Sequence, residues 1–82
     1  MKLPIVIVRW HDAVSEENWT PMKDVVSSKP CEVYTMGYLL VKDEEKVILA
    51  HGLSNEEDPM VFSHTVIPAD WVQEIKELKI VD

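Results

Sequence analysis

The chain predicts a mainly β (α+β) fold, a small five-stranded bent antiparallel sheet or SH3-like/Sm-like barrel. One short helix is expected after the first strand and a helical turn before the last. Two observations lead to that expectation: apolar residues recur with period two in several runs, and polar, mostly acidic turns separate those runs. A third supplies the bend, because Gly37 interrupts the longest run in its interior, where a strand otherwise has a side chain to pack. With 82 residues, 46% of them hydrophobic and 28% charged, the chain has the balance of one folded domain, residues 1–82. A chain of this length buries only about 60–65% of its unfolded surface, so the core is thin and a homo-oligomer is expected.

The elements follow in order. Ile5 to Trp10 separates into Ile5/Ile7/Arg9 and Val6/Val8/Trp10, a strand interior to the sheet. A polar stretch leads to Thr20 as N-cap and Pro21 at the first helical position, with Met22, Val25 and Val26 at i, i+3 and i+4, and Pro30 ends the helical turns. Cys31 to Val41 places Val33, Thr35, Gly37, Leu39 and Val41 on one face and Tyr34, Met36, Tyr38 and Leu40 on the other.

The polar residues 42–46 form a hairpin connection to a strand at Val47–Leu53, and an acidic loop at 54–59 leads to a strand at Met60–Ile67. The C-terminal run is ambiguous: Val72, Ile75 and Leu78 at i, i+3 and i+6 suit a helix, whereas Ile80 and Val81 suit a strand. The expectation is a tight turn around Asp70 and a short last strand that pairs back to close the sheet, with a C-terminal helix over 71–79 as the alternative. Closure would leave no exposed strand edges.

Eight basic residues face 15 acidic ones, a net charge of −7, and residues 42–82 alone hold 4 basic and 10 acidic. Such a surface repels phosphate backbones and anionic lipid, so neither non-specific nucleic acid nor membrane is an expected partner. A cationic protein surface is compatible with it. The single cysteine, Cys31, excludes an internal disulfide and suits a reducing cytoplasm, the expected location.

No Gly-x-Ser-x-Gly elbow or phosphate-binding glycine loop is present, with Gly37 and Gly52 the only glycines. The chain therefore reads as a binding protein, not an enzyme, with no cofactor. His11, His51 and His64 with Asp12 lie at spacings that define no metal site. Arg9-Trp10-His11-Asp12 carries the only arginine, whose planar donor fork suits a carboxylate or phosphate unless an acidic neighbour on the sheet occupies it. Trp19, in a polar loop, is the tryptophan expected at the surface. Arg9, Trp10, His11, Trp19 and Tyr34 form the candidate site for a small anionic ligand.

Met36-Gly37-Tyr38-Leu39-Leu40, an acidic turn, Val47-Ile48-Leu49-Ala50-His51, Ile67-Pro68 and Ile75-x-x-Leu78 together resemble a recurring type of small protein encoded by bacteriophages and prophages. Trp10-His11-Asp12 and Asn18-Trp19-Thr20 agree with it in the first half. The resemblance implies an anti-defence role, either sequestering a nucleotide-like signal or inhibiting or adapting a host protein through an acidic surface. A structural place in the phage particle is the third possibility it implies.

Overall fold

The computed structural model describes residues 3–79 and 81. They contain five strands: β1 (Ile5–Asp12), β2 (Cys31–Lys42), β3 (Lys46–Leu53), β4 (Val61–Pro68) and β5 (Val72–Leu78). One turn of helix, α1 (Met22–Val25), follows β1, and a 3₁₀ turn at Ala69–Trp71 precedes β5. The strands make one antiparallel sheet in the order β4-β3-β2-β1-β5, which is the mainly β class that the alternation predicts.

β1 is interior, paired along its length with β2 (Ile5↔Tyr38 to Asp12↔Cys31) and with β5 (Ile5↔Leu78 to Trp10↔Val72). It runs two residues past the expected end because His11 and Asp12 keep partners in Glu32 and Cys31. β2 serves two neighbours in succession. Its first part pairs with β1, and from Tyr38 onward it pairs with β3 (Tyr38↔Ala50 to Lys42↔Val47).

Gly37, where the sequence predicts a bulge or a sharp bend, sits at that handover and is not itself the bulged residue. The bulge lies three residues on, at Leu40, between the pairs Leu39↔Leu49 and Val41↔Ile48. At Gly37 the β3 backbone comes so near that a Cβ would stand 2.6 Å from the Ala50 carbonyl oxygen and 3.2 Å from the Leu49 Cβ. Only a residue without a side chain fits.

The C-terminal ambiguity is resolved in favour of a strand, and the reason for it is visible. Pairing steps from Arg9↔Glu74 to Trp10↔Val72, which leaves Gln73 as an extra residue. That bulge lets Val72 and Ile75, three apart, both turn toward the core, so a strand imitates helical spacing. The last strand consequently begins at Val72, ahead of the Ile80–Val81 segment. Ile80 lies outside the described residues.

The buried core consists of Val6 and Val8 of β1, Val47, Leu49 and Ala50 of β3, and Ile67 of β4. Trp10, Leu39, Val72 and Ile75 pack around it. The expected closure does not occur among the described residues: β4 and β5 are the two edges, and no pairing joins them.

Residues 13–30, between β1 and β2, leave the sheet as an arm, and every residue in it is exposed. The molecule accordingly measures 55 × 26 × 26 Å with a radius of gyration of 16.6 Å. A compact chain of this length has a radius of about 12 Å.

Gly37→Val is expected to destabilise the fold by about 1–3 kcal/mol, since backbone atoms and not a flexible side-chain end obstruct the new Cβ. An unchanged denaturation midpoint would refute the close approach.

The β2–β3 turn supplies a second expectation. Asp43 Oδ1 accepts hydrogen bonds from the backbone N–H groups of Lys46 (2.8 Å) and Glu45 (2.9 Å), with Lys46 Nζ 3.7 Å from Oδ2. The Lys46 and then the Glu45 backbone bonds hold its carboxyl below the usual value of 3.8. A lowered folded-state value means that its stabilisation is complete above that usual value and is lost as pH falls through the folded one. Asp43→Asn should therefore lower the melting temperature at neutral pH and leave a smaller deficit in strong acid. An equal deficit at both pH values counts against the assignment.

Candidate functional site

The five candidate residues divide among three places. Arg9 and Tyr34 are direct cross-strand partners, so they share one face of the sheet, with His11 two residues along on the same face. Trp10 lies on the opposite face, and Trp19 is out on the arm. The proposed pocket of Arg9, Trp10, His11, Trp19 and Tyr34 is thus not assembled, because strand alternation turns Arg9 and Trp10 apart.

Arg9 is engaged already. Its Nη1 donates to Glu32 Oε1 at 3.2 Å, and its Nε lies 3.9 Å from Glu74 Oε1 on the other flanking strand. Glu74 also stands 4.0 Å from Lys76 Nζ. The only guanidinium of the chain is therefore neutralised within the sheet by carboxylates from β2 and β5, the acidic-neighbour alternative weighed from the sequence. Pairs this exposed add little to stability, but they do occupy the donor fork.

Trp10 has a structural function. Its Nε1–H donates to Thr35 Oγ1 at 3.0 Å, and its ring stacks on Trp71 with centroids 6.3 Å apart and planes 16° from parallel. This stack ties β1 to the 3₁₀ turn before β5. Beside it, His11, Asp12, Pro30, Asp70 and Trp71 line an open cleft of about 300 Å³ at the base of the arm.

The histidines are placed separately as well. His51 Nε2 is 2.8 Å from Thr65 Oγ1, opposite the point where Ser63 has φ 60°, while His64 pairs with Ala50. No group of three or more His, Cys, Asp or Glu side chains is arranged to hold a metal among the described residues.

The arm exposes a cluster of apolar side chains. Trp19 is fully exposed, and Met22, Val26, Val14 and Val25 are exposed with it. A helical spacing of Met22, Val25 and Val26 ordinarily marks a stripe facing a core, yet here no core lies beneath it. The expected cap is absent too. Pro21 occupies the N-cap position without a side-chain bond, and Thr20 Oγ1 donates instead to the Asn18 carbonyl at 3.2 Å.

Local bonds alone shape the arm. Glu16 Oε1 accepts from the backbone and side-chain nitrogens of Asn18 at 3.1 and 2.9 Å, and the hydroxyls of Ser27 and Ser28 both donate to the Asp24 carbonyl. Together these folds enclose a wide crevice of about 700 Å³ with Val14, Trp19 and Val25 as apolar walls and Glu16 and Glu17 among its polar lining. The sequence signal for this site was Trp19 amid polar residues; the exposure of the helical stripe had no separate signal.

No protein family, curated protein or solved structure matches the chain. No helix among the described residues is long and apolar enough to cross a membrane.

The three tryptophans make the arrangement testable by fluorescence. Trp19→Phe should remove the red-shifted component that acrylamide quenches most readily, leaving the Trp10–Trp71 pair better protected. Loss of a shielded component instead would place Trp19 in a packed environment.

Proposed function

We propose that the chain is a non-enzymatic binding protein that engages a protein partner through the arm at residues 13–30. The observation that carries this reading is the fully exposed Trp19 on the wall of a crevice with apolar and acidic lining, in an arm whose every residue is exposed. Large exposed apolar clusters of this kind are characteristic of interfaces, and tryptophan is the residue type most enriched at their energetic centres. Glu16 and Glu17 beside the apolar walls, within a chain of net charge −7, favour a partner whose matching ridge is apolar with basic flanks. The resemblance to small phage-encoded proteins makes a host protein the partner class.

Capture of a nucleotide-like signal is the weaker reading. Its anchor would be Arg9, and Glu32 and Glu74 already hold that side chain. An anion would have to displace two carboxylates in a surface that repels it.

The test combines capture with variants. A partner retained by the immobilised protein should be lost with Trp19→Ala, with affinity falling about 30-fold or more as for an interface centre. Its association should slow as salt rises to about 0.5 M. Arg9→Ala should leave the interaction unchanged. Mass spectrometry that instead finds a co-purified nucleotide released by Arg9→Ala overturns the proposal in favour of the ligand reading.

A further inference from the structure

A second surface, independent of the arm, stands out at the opposite side of the sheet. β4 pairs only with β3, so its other edge presents unpaired backbone donors and acceptors among the described residues, on either side of Ser63, whose φ of 60° interrupts the extended run. β5, the second edge, carries Glu74, Lys76 and Glu77 within seven residues, the usual protection of an edge against strand addition. β4 has no such protection. From Pro59 to Ala69 there is no Asp, Glu, Lys or Arg, in a chain where more than a quarter of the residues are charged. This neutral segment also exposes large apolar side chains: Phe62 is 81% exposed, Met60 70% and Val66 51%, with Val61 exposed as well.

We propose that β4 is the surface through which two copies of this chain join, edge to edge and antiparallel about a two-fold axis, making one continuous ten-stranded sheet. Charge identifies the occupant. Each copy carries −7, so most of the surface repels a second copy, and self-association needs a stretch that is long, uncharged and apolar. β4 meets all three conditions, and a two-fold axis brings the same neutral segment from both copies together.

Full overlap of residues 59–69 places His64, the midpoint, on the axis and sets Phe62 opposite Val66 of the second copy. Phe62, His64 and Val66 share one face of β4, so two Phe62–Val66 contacts flank a central pair of His64 side chains across the junction. In the same register Asp58 of each copy lies opposite Asp70 of the other. That repulsion makes the contact stronger as salt rises, the reverse of what a basic partner on the arm would show.

Sedimentation of the purified full chain at low and at about 0.5 M salt tests this. The expected result is a mass of twice 9.5 kDa, with tighter association at high salt. Phe62→Lys and Val66→Lys should each weaken dimerisation about 100-fold, whereas Met36→Lys, on an exposed site of β2, should not. Should the lysine variants fail to fold, Cys31→Ser combined with His64→Cys supplies the answer. Residues that face each other across the axis should form an intermolecular disulfide on oxidation. A monomer at all concentrations, open-ended larger assemblies, a dimer indifferent to both lysine substitutions, or a dimer without the cross-link would each overturn the proposal.

Discussion

The structure depends on the contact between β2 and the backbone of β3 at Gly37. β2 is long enough to complete a ladder with β1 and begin another with β3, but the change of neighbour requires the second backbone to come in where a side chain would otherwise stand. The absent Cβ at Gly37 admits the Ala50 carbonyl, and Ala50 and Leu49 become fully buried on the strand so admitted. The buried side chains Val47 and Leu49 of β3 thereby meet Val6 and Val8 of β1 in one core, with β2 spanning the distance between them. A wider approach at this point would separate the two halves of a core that is already small.

A second consequence is where apolar area remains uncovered. Five strands in one sheet bury few side chains completely, while Trp19, Met22 and Val26 on the arm and Met60 and Phe62 by β4 stay in water. These exposures cost free energy unless something covers them, at roughly 25 cal/mol for each Å² of apolar surface. Most of them fall into two groups, on the arm and along one edge, with Tyr34, Met36, Trp71, Leu78 and Val81 exposed elsewhere.

Much of the sheet was legible in the sequence because alternation reports directly which side chains share a face. β2 and β3 were assigned nearly to their ends for that reason. The C-terminal strand was harder, since the bulge at Gln73 gives Val72 and Ile75 the three-residue step of a helix, and a local pattern contains no record of pairing partners. The edge status of β4 was hidden likewise, because an edge strand and an interior strand alternate alike. At the candidate site residue chemistry is readable, and so is orientation: Arg9 and Trp10 are adjacent on a strand and therefore point apart. Whether Arg9 is free depends on Glu32 and Glu74, which are 23 and 65 positions away in the chain and reach it only through the β1–β2 and β1–β5 ladders.

Charge placement connects these features. The acidic residues concentrate in the turns at 43–45 and 56–58, and β5 carries charge along its edge, while the segment between Asp58 and Asp70 has none. A strongly negative chain stays soluble by mutual repulsion, and repulsion is weakest where no charge is present. β4 is therefore the stretch at which repulsion between two copies would be least. The arm differs: its apolar residues are interleaved with both signs of charge, Glu16, Glu17 and Asp24 against Lys23 and Lys29, and the two carboxylates that line the crevice are the ones a basic flank of a partner would meet.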